Sequence, residues 1–491
     1  ISLLVAVNKL DDSKSKVLIL APTRPLTLQH YETFKRFLVI DEENLVFLTG
    51  KIRPEKRENI WRDARIIFAT PQLIRNDVLS DRYNLENVSL IVFDEAHRAR
   101  KKYAYNQIAE SYMNQCQNPL ILGLTASPGK DRDVIKKTCE NLFIERVEYR
   151  TEKDRDVKPY IPPLAMRWKK TGLPREYKDI RKILEGMLQN EVKKLQSMGI
   201  LTYRKPLDVT KTDLLKLGKS LRIKLGEKGK SMYAAIMFQS SSISLLHMIE
   251  LLTTQDIWVL YRFLKNTERK AKKTKSARRI VNSPDYEKLV RKVENYLAVQ
   301  HPKLNVLRET IEKEYSGNEN TSIIVFTQFR DTATRIIKSL KEIEMARPIR
   351  FVGQASKHRD KGLTQDRQAE IIREFEDGIY NILVATSIAE EGLDIPSVDV
   401  VIFYEPVPSE IRLIQRKGRT ARKRFGKVVI LITEDTVDEA YYWASKTREK
   451  KMKGIVSSLN EILEKSRESK SKEEEPRKVI ELEGQRSIND F

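Results

Sequence analysis

A chain of 491 residues, 40% hydrophobic and 33% charged, is too long for one hydrophobic core and points to about three domains. Its formal charge of +22 favours a polyanionic partner over an acidic or membrane-embedded life. Only Cys116 and Cys139 occur, without CxxC spacing, which sets aside a disulfide framework and a zinc site and fits a reducing, cytoplasmic compartment.

The start, Ile1 to Val7, is short and lacks a basic lead-in, so it reads as the tail of an amphipathic helix and not as a signal peptide. Nowhere is a run expected to reach the roughly 18 to 20 apolar residues that span a bilayer, so no membrane contact is expected. Short β-branched runs then recur at Val17–Leu20, Ile66–Ala69, Leu90–Phe93, Ile121–Leu124 and Arg146–Tyr149, most of them separated by helical stretches. That alternation is the signature of a buried parallel sheet and defines a first α/β domain over 1–155.

From 156 to 299 the pattern turns helical, with Ile180, Leu184, Leu188, Val192 and Leu195 near i/i+4 spacing and a second apolar run at Ser244–Leu252. Residues 151–300 carry thirty-three Lys and Arg against sixteen Asp and Glu, so most of the positive excess lies there. Enrichment of Lys and Glu for heat tolerance would raise both signs together; one sign alone indicates phosphate contact. The densest run contains Lys270, Lys272, Lys273, Arg278 and Arg279. Strand-like runs return at Ile323–Phe326, Ile349–Val352, Ile382–Ala385, Val400–Tyr404 and Val428–Ile432, giving a second α/β domain over 300–452. The remainder, 453–491, is charged, low in complexity and expected to be a flexible tail.

Polar residues collect where these strands end, which is where open parallel sheets bind ligands. Asp94-Glu95-Ala96-His97 follows one strand and Thr125-Ala126-Ser127 the next. A carboxylate such as Asp94 can hold Mg²⁺ through its water shell, and a neighbour such as Glu95 can polarise the water that attacks a γ-phosphate. In Gln415-Arg416-Lys417-Gly418-Arg419-Thr420-Ala421-Arg422, Arg419 and Arg422 lie three apart, share a helix face and suit phosphoryl charge.

Read in order, APTRP, LTG, TPQ, DEAH, TASP, VFTQFR, ATSIAEEGLDIP and QRKGRTAR resemble the motifs of superfamily 2 helicases, from Val17 to Trp443. The stretch Phe351–Lys357 and the helical insert look most like archaeal Hef and the eukaryotic Fanconi-anaemia group M helicase. The resemblance implies two RecA-like (P-loop NTPase) parallel-sheet domains with an inserted helical domain, ATP and Mg²⁺ as ligands, and ATP-driven movement on DNA. By motif, Asp94 would hold the metal and Glu95 would be the catalytic base. His97, Thr125 and Ser127 would couple ATP state to nucleic-acid grip. Gln415, Arg419 and Arg422 would meet the γ-phosphate, and Gly392 and Asp394 would line the nucleotide site. Thr23, Arg24, Gly50, Thr70, Gln72, Thr327 and Thr386 would hold backbone phosphates, with little sequence specificity.

Two departures stand out. The family's Gly-rich loop with its Lys-Thr does not occur in the chain and is expected to precede Ile1, so the chain as it stands should not turn over ATP; Ala421 replaces the Gly usual in the last motif. A tempting nuclease signature at Glu268-Arg269-Lys270 lacks its Asp, because Thr274 occupies that place. The final residues, with Gln485, Ile488 and Phe491, resemble the peptide by which archaeal repair proteins dock on the sliding clamp. The leading function is thus remodelling of forks and four-way junctions in DNA repair or fork restart, in a nucleoid-associated setting. A nucleic-acid-gated recruitment platform and an RNA-directed motor are the alternatives.

Overall fold

In the computed structural model the described residues are 2–7, 15–41, 43–100, 102–125, 132–148, 150, 155, 164–202, 205–353, 362–386, 398–406, 426–443, 454–455 and 458–459. They form two compact units, the first containing 1–158 with 447–491 and the second 159–446.

The first unit is built on a five-stranded parallel sheet. Its strands β1 (Lys16–Leu20), β2 (Leu45–Phe47), β3 (Ile66–Ala69), β4 (Val88–Asp94) and β5 (Ile121–Leu124) lie in the order β2-β3-β1-β4-β5. Alternation along the strands sorts the core into two layers. Leu18, Leu20, Ile67, Ile91 and Phe93 face helices α4 (Pro71–Leu79) and α5 (Ala104–Gln115) through Ile74, Val78, Tyr105, Ile108 and Tyr112. Val17, Ile19, Ile66, Phe68, Leu90 and Val92 pack on the opposite side with Ala6 of α1 (Ser2–Val7) and Phe34 of α2 (Arg24–Phe37). Helix α3 (Pro54–Asp63) and helix α6 (Arg132–Asn141) complete the unit. Arg146–Glu148 carries no strand, contrary to the sequence expectation. Leu459 is fully buried and packs with Ile455 against Ile135 and Cys139, so the start of the supposed tail is core at these positions. Cys139 is buried, which pushes its thiol up to about 11, and Cys116 is likewise unpaired.

The second unit joins the helical insert to a six-stranded parallel sheet. Five strands match the expected runs: β7 (Ile323–Phe326), β8 (Pro348–Phe351), β9 (Ile382–Ala385), β10 (Val400–Phe403) and β11 (Gly426–Thr433). The sixth, β6 (Leu164–Thr171), comes from residues that the sequence reading gave to the insert. It pairs with β11 in parallel over eight residues, giving the order β6-β11-β10-β7-β9-β8. The insert boundary therefore moves from 156 to after Thr171. One face of this sheet meets α12 (Pro302–Gly317) and α13 (Arg330–Leu340), and the other meets α14 (Gln365–Glu376).

The insert comprises α7 (Arg175–Ser197), α8 (Lys211–Thr254), α9 (Ile257–Ala271), α10 (Lys275–Val281) and α11 (Pro284–Asn295). The expected apolar stripe Ile180, Leu184, Leu188, Val192 and Leu195 is buried in its core. Thr210 starts α8 with a reciprocal capping box to Asp213. Forty-four residues of straight helix would span about 66 Å. Yet Gln239 Nε2 donates to Leu214 O at 2.7 Å, and Lys211 reaches Glu250 at 3.4 Å. Helix α8 must therefore double back on itself. Gly218 permits the approach, since a Cβ there would sit 2.6 Å from the Gln239 amide. Within α8, Met232–Thr254 is long and apolar enough to cross a membrane, against the expectation that no such stretch exists. It is apolar around much of its circumference because other helices cover it: Leu245, Met248 and Leu252 lie in the insert core.

A buried polar network ties insert to sheet. Lys303, fully buried at the start of α12, is ion-paired with Asp438 and donates to Thr254 O at 3.0 Å. His301 lies 3.1 Å from Thr253 O through Nε2, and its backbone N–H donates to Asp256, the N-cap of α9. Tyr404, just past β10, donates to Gln255 O.

Candidate functional site

In the first unit all strands point one way, so every candidate loop emerges on one edge of the sheet. The order of strands divides them. Gly50 follows β2, Thr70 and Gln72 follow β3, and Thr23 and Arg24 follow β1, three neighbouring strands whose ends form one stretch of that edge. Asp94 closes β4 and Thr125 follows β5, so the carboxylates and the threonine occupy the other stretch. Arg24, Gly50 and Gln72 are exposed, as a backbone-phosphate contact requires. Thr23 and Thr70 are the N-cap residues of α2 and α4; their side chains do not cap, and Thr23 Oγ1 is buried without a hydrogen-bond partner among the described residues.

The carboxylates are held from several directions. Asp94 Oδ1 accepts from the Glu95 backbone N–H at 2.9 Å, and Oδ2 lies 2.9 Å from Nε2 of His30 on α2. Tyr105 donates to the Asp94 carbonyl at 2.6 Å and reaches Leu20 O at 3.2 Å, fastening the ends of β4 and β1 together. Burial raises the Tyr105 phenol well above its usual range, so it stays a donor. The chain then turns sharply. Glu95 has φ 50° and ψ 47°, a left-handed conformation uncommon for a residue with a Cβ. This turn swings Glu95 and His97 onto one side, where His97 Nδ1 lies 3.0 Å from both Glu95 Oε2 and Thr125 Oγ1. Gly123 on β5 makes the approach possible, because a Cβ there would already stand 3.2 Å from Ala96. Glu95, His97 and Thr125 are thus one contact set.

His30 and Tyr105 were not singled out from sequence. Each lies on a helix with ordinary local spacing; the adjacency of β1 and β4 brings His30 to Asp94, and the packing of α5 on the sheet brings Tyr105.

The donor set at Asp94 suits Mg²⁺. Among the described residues no three His, Cys, Asp or Glu side chains cluster as a metal cage, and Asp94 offers one oriented carboxylate, 18% exposed. One carboxylate plus waters is the mode by which Mg²⁺ is held beside phosphates.

In the second unit Thr327 and Thr386 follow β7 and β9, which are adjacent. Thr327 is fully buried and donates its hydroxyl to Glu405 at 3.2 Å; the same carboxylate accepts from the Gln328 backbone N–H. The structure thus turns Thr327 inward, and Thr386 is 5% exposed. Glu405 is the residue that sequence reasoning missed here. Ser127, Gly392, Asp394, Gln415, Arg419, Arg422, Gln485, Ile488 and Phe491 lie outside the described residues.

Of the basic run, Lys270, Lys272 and Lys273 are exposed at the end of α9. Arg279 departs from the expectation. Its Nε donates to Glu191 at 2.7 Å and its guanidinium lies 4.6 Å over Phe238, so it braces α10 against α7 and α8. Arg278 is exposed, but spends Nε on Ala271 O and Nη2 on Lys272 O, closing the end of α9.

Two parallel sheets whose loops gather at the carboxyl ends of their strands, with a helical insert between them in sequence, are the arrangement expected of a RecA-like motor. Residues 1–135 match the DEAD/DEAH box helicase family, 176–299 the helical bundle of an ATP-dependent RNA helicase family, and 302–424 the helicase conserved C-terminal domain. The crystal structure of the Pyrococcus furiosus Hef helicase domain is similar at 42% identity, covering 90% of this chain and 92% of that one, with a TM-score of 0.68. The chain belongs to the Hef-like family of superfamily 2 helicases, to which the Mph1 helicases are related. A Methanocaldococcus jannaschii protein provisionally named ATP-dependent RNA helicase MJ1505 is 41% identical over 95% of this chain. The Neurospora crassa ATP-dependent DNA helicase mph1 is 33% identical over 87%. The chain spans 58% and 38% of those two relatives' lengths.

Proposed function

We propose that this chain is the motor region of an ATP-driven DNA translocase that remodels branched DNA, such as forks and four-way junctions, in DNA repair. The observation that carries the reading is the single contact set of Glu95, His97 and Thr125 beside Asp94. Mg²⁺ at Asp94 would neutralise phosphate charge. Glu95 accepts a proton from the attacking water, and its contact with His97 links that event to Thr125 and the loop after β5. Gln415, Arg419 and Arg422 would meet the charge on the γ-phosphate. Arg24, Gly50 and Gln72 grip backbone phosphates without reading bases.

The relatives' names divide between RNA and DNA, so the choice of DNA rests on the likeness to Hef and Mph1. An RNA-directed motor is the second reading, favoured by the name of the Methanocaldococcus relative. Unwinding of matched fork substrates, with the phosphate-binding loop included upstream, decides between them. The expected result is faster unwinding of a DNA fork than of a blunt DNA duplex or an RNA fork. Changing Lys270, Lys272 and Lys273 to Gln should weaken fork binding and reduce the log–log salt slope by about 0.9 for each phosphate no longer neutralised. Equal rates on DNA and RNA forks, or an unchanged slope, would refute the corresponding part.

The proposal extends to a recruiter. In a tight turn Ile488 and Phe491, three residues apart, would plug an apolar pocket on the sliding clamp while Gln485 hydrogen-bonds beside it. A peptide of residues 480–491 should bind the clamp from the same organism, and its Ile488→Ala/Phe491→Ala version should not. Equal binding by both removes the idea.

A further inference from the structure

The helical insert contains a cavity of about 600 Å³ that none of the helicase motifs uses. Its floor is apolar: Met187 of α7, Met237 and Leu245 of α8, and Ile280 of α10. Its rim is cationic, with Lys194 from α7 and Lys275, Arg278 and Arg279 from α10. Two acids answer these four cations. Glu191 is nearly buried and already bound to Arg279, and Asp285 stands in the first turn of α11. The amides of Asn190 and Asn282 also line it.

The start of α11, a twelve-residue helix, opens onto the same cavity. Its N-cap Ser283 does not cap the helix, and Ser283 Oγ is buried with no hydrogen-bond partner among the described residues. A helix start leaves backbone N–H groups unpaired and favours an anion. Here that start and an excess of basic side chains meet above an apolar floor.

This combination differs from what an internal strand needs. A continuous phosphodiester backbone tracks along an open basic groove. A floored pocket of nucleotide dimensions takes one planar base on its apolar side chains and one phosphate on the rim. Arg and Lys pair most strongly with a phosphate monoester, which carries more charge than a diester. We infer that the insert holds a binding pocket for a single nucleotide bearing a terminal phosphate. The source is either the phosphorylated end of a nucleic-acid strand or a free mononucleotide. The strand-end form rests on the nucleic-acid function proposed above; the pocket itself does not.

The test compares oligonucleotides of one sequence carrying a 5′-phosphate, a 3′-phosphate or hydroxyls at both ends, by fluorescence anisotropy with the full chain. One phosphorylated end should bind about tenfold tighter than the hydroxyl-ended strand, the gain of one or two charge-assisted hydrogen bonds. Lys194→Gln/Lys275→Gln should bring that ratio close to one. Lys194→Gln alone should lower it, with circular dichroism confirming the fold. AMP is the second probe. Displacement of the phosphorylated strand by AMP that is lost in the double variant supports the pocket; so does AMP binding lost in that variant without any end preference, which assigns the free nucleotide as the source. A wild-type ratio of one with no variant-sensitive AMP binding overturns the inference, and so does a ratio that both variants leave unchanged. Fork unwinding measured in parallel separates the two ideas: failure to unwind DNA with the end ratio intact counts against the motor reading and not against the pocket.

Discussion

Glu95→Gln should reduce nucleic-acid-stimulated ATP turnover by about 10²- to 10⁴-fold, the range attributed to a general base, while leaving ATP binding largely intact. The measurement needs a chain that carries the phosphate-binding loop upstream of Ile1. Glutamine keeps the length and hydrogen-bonding capacity of the side chain but cannot accept the proton. The left-handed backbone at Glu95 and the contact at 3.0 Å with His97 Nδ1 are both compatible with an amide, so the local fold should persist. His97→Ala makes the complementary case. It leaves the base in place and removes the link to Thr125, so residual ATPase should lose much of its dependence on nucleic acid. Loss of nucleotide binding in Glu95→Gln would mean that Glu95 is structural, and an unaltered rate would place the base elsewhere.

How much of this was legible in the chain follows from which interactions are local. Strands buried on both faces, such as Ile66–Ala69 and Ile323–Phe326, need an apolar run, and that run fixes their limits to the residue. Strand β6 reads Leu-Ala-Met-Arg-Trp-Lys-Lys-Thr, half polar because it lies at the edge of its sheet. Its identity depends on β11, which follows more than 250 residues later, so nothing nearby announces it. The acidic pair was visible because Asp94 and Glu95 are neighbours at the end of an apolar run. The His30–Asp94 contact joins residues 64 apart through the adjacency of two strands. The basic run shows the converse. Composition places Arg279 with Lys272, yet one is paired to Glu191 and the other is exposed. Charge counts cannot separate a cation that braces helices from one offered to a phosphate. The insert's length likewise concealed its shape, since the doubling back of α8 shows only in contacts such as that of Gln239 with a backbone carbonyl 25 residues away.

Lys303→Met should destabilise the second unit by about 3–5 kcal/mol, because it strands the Asp438 carboxylate without its ion partner. Both side chains are essentially inaccessible, and burial raises the Asp438 carboxyl above its usual range even with Lys303 opposing the shift. Asp438→Asn should cost a similar amount, and the double variant Lys303→Met/Asp438→Asn should cost less than the two singles added together. Urea unfolding of the full chain followed by tryptophan fluorescence reads this directly, since Trp168, Trp258 and Trp443 lie in the second unit and only Trp61 in the first. The neighbouring His301 gives the same network a pH signature. Complete burial, with Lys303 adding repulsion, lowers its pKa from 6.5 to about 3. The unfolded chain therefore takes up a proton on this residue below pH 6.5, whereas the folded chain refuses it until about pH 3. Stability from the neutral imidazole is fully present above pH 6.5 and is lost as pH falls towards 3, amounting to on the order of 5 kcal/mol over the whole interval. His301→Gln removes that titration and leaves Asp438, whose raised pKa acts in the opposite direction, in both proteins. The stability gap between wild type and His301→Gln should therefore narrow steadily as pH falls below 6.5. A gap independent of pH would show that His301 is not the neutral, buried partner of Thr253 and Lys303.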